Sequence, residues 1–323
     1  MLNESGVEAI IEHVIDNNCI DKFVTKHRPT HVIIEAYFVV PEKFEILSRL
    51  HPKVKWIIRN HSELPFLASE GVAIDWTCRY VNYENVYVSG NSHRVLEEMK
   101  TIVKDSHPYW AEALVEKKVW YLPNFYKATW TPRKHPLAPS DTINVGCFGA
   151  IRPLKNHLLQ AVASIQFADS IGKKLKFHIN ATRIEGGATS ATLKNLRCLF
   201  EHVSNSGHEL IEHGWMDHED FIHLLKHKID MGLCVSHSET FCIVAADLVT
   251  SGVPLITSGE VSWATCFSKA DVNSSKDIVK KMTTAWHLHN IKILETLNLW
   301  GLERFCNKTR VQWLKHFSNH CEK

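Results

Sequence analysis

Two acids, Glu239 and Asp247, stand eight positions apart in the run SHSETFCIVAADLVTSGVPLITSG, residues 236–259. The stretch FCIVAADLVTSG reads as a buried helix that Gly252 ends and Pro254 follows, entered through a loop, SHSET, rich in N-cap residues. Acids are almost never fully buried without a partner. Asp247 on the most apolar helix therefore has two meanings: it accepts paired hydrogen bonds from a ligand's hydroxyls, or it pairs with an Arg or Lys of its own chain. Eight helical residues rise about 12 Å. Glu239 at the helix mouth and Asp247 two turns deeper are expected to touch two ends of one extended ligand. A second stretch, GAIRPLKNH at 149–157, follows the strand-like INVGCF and opens a helix. Gly149 permits a tight turn, and Arg152 and Lys155 set two cations beside a helix N-terminus, an arrangement suited to a diphosphate. The bland alternative is two solvated charges on a strand-to-helix loop. The stretch is not a Walker A loop, since the second glycine and the Lys-Ser/Thr pair are absent. A third candidate is His61 in RNHSELPF, just after the strand-like KWII. A histidine there can act as acid or base or touch a substrate, although in a chain with 21 histidines a lone one usually has a bland role.

The elements that must hold these residues alternate in type. Strand candidates in the first half are EAIIEHVI, HVIIEAYF, KWIIRNHS, VYVSGNS and KVWYLPN, with helix candidates PEKFEILSRLHP and HRVLEEMKTIVKD among them. In PEKFEILSRL the proline suits a first helical position, and Phe44, Ile46, Leu47 and Leu50 are expected on one face. The second half gives strands INVGCFG, LKFHINA, HELIEHG, DMGLCVS and VPLITSG, and helices KNHLLQAVASIQFADSIG, ATLKNLRCLFEHVSN, HEDFIHLLKHK and TFCIVAADLVTSG. Beyond residue 275 the pattern is helical. The Pro-rich KATWTPRKHPLAPSDT lacks an apolar period and reads as a linker. The expected architecture is α/β: two Rossmann-like domains at 1–130 and 143–323, joined by a linker at 131–142, with parallel sheets covered by helices on both faces and a helical C-terminus. Ligands then bind beyond the carboxyl ends of the strands, which is where all three candidates lie.

Bulk properties narrow the classes. At 323 residues, 45% hydrophobic and 22% charged, the chain is globular, and a formal net charge of +2 is too balanced for a dedicated nucleic-acid binder. Nine scattered cysteines without a C-x-x-C pair point to reduced thiols and a cytoplasmic location. No apolar run approaches the 18 residues of a transmembrane helix, and the acidic N-terminus does not read as a signal peptide. HELIEH and HEDFIH space their histidines five apart, whereas the zinc-protease motif needs four. No metal site is expected. Trp76, Tyr80, Tyr83 and Tyr87 read as core and not as a base-stacking platform.

In this order, GAIRPLK, VWYLPNFY, the approach GWMDHEDFIHLLKHKIDMGLCVSHSE and the motif ETFCIVAADLVTSGVP resemble the retaining glycosyltransferases of family four, which have the GT-B fold. The resemblance covers about residues 115–265 and is looser before that. It implies a nucleotide-sugar donor, retention of configuration, no metal and no further cofactor. By position, Lys155 matches the lysine that neutralises the donor diphosphate, with Arg152 standing in for an arginine replaced by Ala150. Glu239 matches the acid facing the transferred sugar. Thr240, Phe241 and Cys242 match a Gly-Phe-Gly turn that approaches sugar and phosphate, with both glycines replaced. Asp247 matches the acid that holds the ribose, and His61 a histidine on the acceptor side. The first strand and Gly-rich loop of the N-terminal domain are expected to be missing. EAYFVVPEKFEILSRLHPKVKWIIRNHSELPFLASEGVAIDW resembles glycosyltransferase-like proteins of large tailed phages, which implies a glycan or a modified nucleic-acid base as acceptor. Two other readings keep the fold: a binding protein that has lost turnover, which the missing strand and lost glycines favour, and a GT-B sugar-nucleotide epimerase, which needs no acceptor.

Overall fold

The computed structural model describes residues 1–127, 129 and 140–317. The chain divides into two compact units, one formed by Met1–Phe125 with Asn307 onward, the other by Tyr126–Cys306. The linker expected at 131–142 lies, up to Pro139, outside the described residues, and Thr142 already begins a strand. The end of the chain belongs to the first unit, where the sequence pattern had kept it in the second domain.

The first unit is built on four parallel strands, β1 (His31–Glu35), β2 (Lys55–Asn60), β3 (Val86–Gly90) and β4 (Val119–Tyr121), in the order β1-β2-β3-β4. Its helices are α1 (Cys19–His27), α2 (Phe44–Leu50), α3 (Leu64–Leu67), α4 (Ala73–Tyr80), α5 (His93–Ser106) and α6 (Glu112–Lys118). Alternation along a strand sends successive side chains to opposite faces. Trp56 and Ile58 of β2 accordingly join Phe44, Leu47, Tyr80 and Val88 in one core, while Ile57 joins Tyr87 and Leu122 in another. Tyr80 and Tyr87 are buried and Trp76 and Tyr83 pack against the first core, as expected of that aromatic series.

Two expectations fail here. EAIIEHVI forms no strand. Its apolar residues do not alternate, Ile11 and Ile15 are 87% exposed, and only Val14 packs on the core. In α2, Phe44 and Leu47 are buried but Ile46 and Leu50 face solvent. At 100° per residue those two lie on a neighbouring stripe, about 100° around the helix from the buried pair.

The second unit has β5 (Thr142–Gly146), α7 (His157–Ser170), β6 (Lys174–Asn180), α8 (Ala191–His202), β7 (Glu209–His213), α9 (His218–Lys228), β8 (Met231–Cys234), α10 (Ile243–Thr250), β9 (Leu255–Thr257), α11 (Ser275–Leu288) and the first part of α12 (Ile293–Phe317), whose residues from Asn307 on belong to the first unit. The sheet is parallel with order β7-β6-β5-β8-β9. The chain winds outward from β5 through β6 to β7, then returns to the other flank of β5 as β8. The loops after β5 and β8 thus leave neighbouring strands in opposite directions, the arrangement at which open α/β sheets generally bind ligands. Among the described residues no helix is long and apolar enough to cross a membrane.

Candidate active site

The loop after β5 is shaped by its ties to neighbours. Gly149 takes φ +111°, a region that favours glycine, and its N–H donates to Asn180 Oδ1 at 3.0 Å. Ile151 is buried and zipped to the loop after β6, its N–H donating to the Arg183 carbonyl and its carbonyl accepting from Glu185 N–H, each at 2.9 Å. Arg152 Nε lies 3.9 Å from Glu185 Oε2, so its cation is already shared with that carboxylate. One turn of 3-10 helix, Pro153–Lys155, precedes α7.

Two amides fasten this loop to the end of β8. Asn156, in the left-handed region at φ 58°, donates from Nδ2 to the carbonyls of Val235 (3.2 Å) and Val272 (2.9 Å). Buried Gln160 donates to the Lys155 carbonyl and accepts from Val235 N–H, both at 2.8 Å. The His237 N–H adds a bond to the Leu154 carbonyl at 2.8 Å. Buried polar groups so fully satisfied hold a fixed geometry. That geometry brings Lys155 Nζ to 2.5 Å from Glu239 Oε1, which also accepts from Ser236 Oγ at 2.9 Å. The Glu239 side chain is 8% exposed and that of Lys155 26%. Burial works against the lysine's charge, but the Glu239 carboxylate outweighs it and raises the Lys155 pKa above the ordinary value.

Glu239 does not sit at a helix mouth. Residues 239–242 precede α10, which starts at Ile243, so the separation of the two acids is not eight residues of helix. The interruption is Cys242, a non-glycine residue at φ 61°. The backbone keeps a conformation that glycine adopts freely even though a thiol is present. Thr240 lies in the same turn, and Phe241 anchors it: the ring is buried 5.4 Å from Phe305 and 6.0 Å from Trp263, whose indole N–H donates to the Phe241 carbonyl at 2.8 Å. The thiols of Cys147 and Cys234 line the same interior. Burial pushes the first up, and a hydrogen bond with Cys242 together with burial pushes the second up.

Asp247 is 2% exposed. Among the described residues its hydrogen-bond partners are not the Arg or Lys that the sequence offers. Oδ1 accepts from Tyr126 O–H at 2.6 Å and from His218 Nε2–H at 2.8 Å. Burial raises its pKa, with the two hydrogen bonds opposing. A raised value means that ionised Asp247 weighs on the folded state above that pKa, and that the burden lifts as pH falls through it. Asp247→Asn is therefore expected to hold or raise the melting temperature at pH 7, with the gap to the parent closing on acidification through the Asp247 pKa. A fall in melting temperature at pH 7 would make the carboxylate a structural one.

His61 belongs to the first unit, at the carboxyl end of β2. Its Nε2 contacts the Glu35 carboxylate, which also takes Arg59 at 3.0 Å. Buried Arg59 reaches the Leu122 carbonyl at 2.8 Å and Asn124 Oδ1 at 2.5 Å. Burial opposes the Glu35 charge, yet His61 and Arg59 hold its pKa below the ordinary value. A cleft of about 440 Å³ in the same unit, lined by Lys55, Tyr87, Lys117, Trp120 and His316 among others, contains none of the sequence-derived residues.

The structure thus brings Lys155 to Glu239, ties Gly149 and Arg152 to Asn180 and Glu185 at and after the end of β6, and sets Asp247 beside Tyr126 and His218 in the same unit. Asn156, Gln160, Tyr126 and His218 were not singled out from sequence. Gln160 carried a signal, as one of two amides in the apolar helix α7, and His218 was weighed only as a zinc ligand.

No family model matches the chain, and no curated protein matches it. Solved structures do. The trehalose-6-phosphate synthase OtsA, without ligand, superimposes at TM-score 0.66 and 9% identity, over 90% of this chain and 73% of its own. The UDP-forming trehalose-phosphate synthase of Burkholderia xenovorans gives 0.66 and 10%, over 91% and 74%. Sucrose-phosphate synthase of Thermosynechococcus elongatus gives 0.62 and 12%, over 93% and 76%. Identities this low carry the fold and not the activity. Two parallel α/β units with a helical C-terminus, superimposing on these enzymes over nine-tenths of the chain, have the GT-B fold.

Proposed function

We propose that the chain is a glycosyltransferase that moves a sugar from a nucleotide-sugar donor to an acceptor, with retention and without a metal. The observation that carries this reading is the Lys155–Glu239 pair, a cation and a carboxylate held at 2.5 Å where the loops after β5 and β8 part. In the proposed complex Lys155 turns to the donor diphosphate and stabilises the charge that grows on it as the sugar leaves, with Arg152 and the start of α7 assisting. That supply of positive charge replaces a metal. Glu239, released, faces the transferred sugar, and the 240–242 turn lines the sugar and phosphate. Asp247 takes the ribose hydroxyls, exchanging the Tyr126 and His218 bonds for them. His61, within reach of Glu35 for proton exchange, serves the acceptor, a glycan or a modified nucleic-acid base. Support also comes from the solved relatives: a trehalose-6-phosphate synthase of E. coli, 10% identical, is known bound to UDP-2-fluoro-glucose.

A second reading, a binding protein without turnover, draws on the site's self-sufficiency, since Lys155 and Asp247 each already hold partners within the chain. Thermal unfolding with UDP, GDP, ADP and CMP, with and without a chelator, tests the donor site that both readings need. A ligand at 100 times its dissociation constant adds about 2.7 kcal/mol. For a chain of this length that raises the melting temperature by about 4 °C. One responding diphosphate, unaffected by chelator, names the base. Release of sugar from the matching donor then separates an enzyme from a binder. No response in a folded sample rejects both.

A further inference from the structure

Trp215 is 80% exposed, in the loop between β7 and α9, whereas Trp56 and Trp263 are buried in the cores of their units. Leaving an indole in water forfeits the burial of one of the largest apolar surfaces a side chain offers. The loop that carries it is firmly seated. His213, the last residue of β7, lies 6.0 Å from Phe148, which packs edge-on against Phe221 of α9 at 5.1 Å. Asp217 caps α9 by accepting from Asp220 N–H at 2.9 Å. The next residue, His218, donates to Asp247. Trp215 is therefore three residues from the side chain that grips Asp247, a separation of at most about 10 Å of chain.

We propose that Trp215 is the platform on which the base of a bound nucleotide stacks. The proposal rests on the donor-site reading above, with Asp247 at the ribose. A ribose held there leaves its base within the reach of this loop, and an indole held at a strand's carboxyl end offers the flat apolar face that a base needs. Stacking of this kind accepts any base, so Trp215 supplies affinity and orientation while other contacts choose among bases.

The test is calorimetric titration of the full chain with UDP, GDP, ADP, CDP, dTDP and inorganic pyrophosphate. Trp215→Ala is expected to weaken the best-bound nucleoside diphosphate at least tenfold and to leave pyrophosphate unchanged. Trp215→Phe should lose less than threefold. Because the indole is exposed, both variants should melt with the parent. Unchanged diphosphate affinity in Trp215→Ala, or equal losses for diphosphate and pyrophosphate, overturns the platform and leaves the donor site standing. Parent chain that binds pyrophosphate but no nucleoside diphosphate also overturns the platform. Binding of neither overturns the donor site and the platform together.

Discussion

Lys155→Ala is expected to lower affinity for the cognate nucleoside diphosphate about a hundredfold, roughly 2.7 kcal/mol, and to leave the nucleoside within threefold. A charged hydrogen bond is worth roughly 1.5–3 kcal/mol. Lys155 is three-quarters buried, so water screens it only in part. The pair in the free protein gives the prediction a second arm of opposite sign. Glu239 holds the Lys155 ammonium at 2.5 Å and must release it before a phosphate can take its place. Glu239→Gln removes the competing anion and a like charge from the diphosphate's surroundings, so free diphosphate should bind more tightly while sugar transfer is lost. Titration calorimetry on both variants measures the two signs. Equal losses of diphosphate and nucleoside in Lys155→Ala would remove the phosphate role. The alanine variant leaves a buried Glu239 carboxylate without its ammonium partner and with a hydrogen bond from Ser236, so its folding should be checked by circular dichroism first.

Gly301→Ala should destabilise the chain by about 3 kcal/mol, a melting drop of about 4 °C. At an exposed helical position the same change stabilises by about 1 kcal/mol, so the sign is diagnostic. A Cβ at Gly301 would overlap the carbonyl oxygen of Trp263, which is backbone and cannot rotate away. Sliding α12 is no escape. Asn298, one turn earlier, accepts from Thr265 N–H at 2.9 Å and donates to Ser268 Oγ at 2.8 Å, pinning the helix to the segment it must clear. Displacement of Trp263 also strains its indole bond to the Phe241 carbonyl, and with it the turn that carries Glu239. Diphosphate affinity should therefore fall in the same variant. A higher melting temperature would show that the contact relaxes freely.

The strands were legible because both sheets are parallel and buried, so each strand is a short apolar run whatever its neighbours. EAIIEHVI misled for the same reason: an apolar run without a sheet to join looks the same as one with a sheet. The short helices α1 and α4 escaped notice. CIDKFVTKH and AIDWTCRY are rich in β-branched and aromatic residues, and packing of Ile20, Val24 and Tyr80 holds them rather than propensity. At the site, residue types and strand ends pointed to Lys155 and Glu239, whose residue numbers differ by 84. Their meeting was not legible, because it depends on Asn156 and Gln160 reaching the Val235 backbone. Nor was the break before α10, since nothing in the letter C announces a left-handed backbone. Asp247 was recognised as an acid in need of a partner, but a tyrosine and a histidine from distant positions answered that need.

Trp313 and Phe317, near the end of α12, pack over Ile57, Tyr87 and Leu122, and the Trp313 indole donates to the Pro123 carbonyl at 2.8 Å. On the ribosome, the strands they cover emerge long before they do. Between Tyr121 and Asn307 the machinery works for about 10 to 40 seconds at ordinary elongation rates. Throughout that interval one face of the first sheet stands bare while the whole second unit is made. The nascent chain therefore presents Ile57, Tyr87 and Leu122 without Trp313 and Phe317 until that part of α12 has been made.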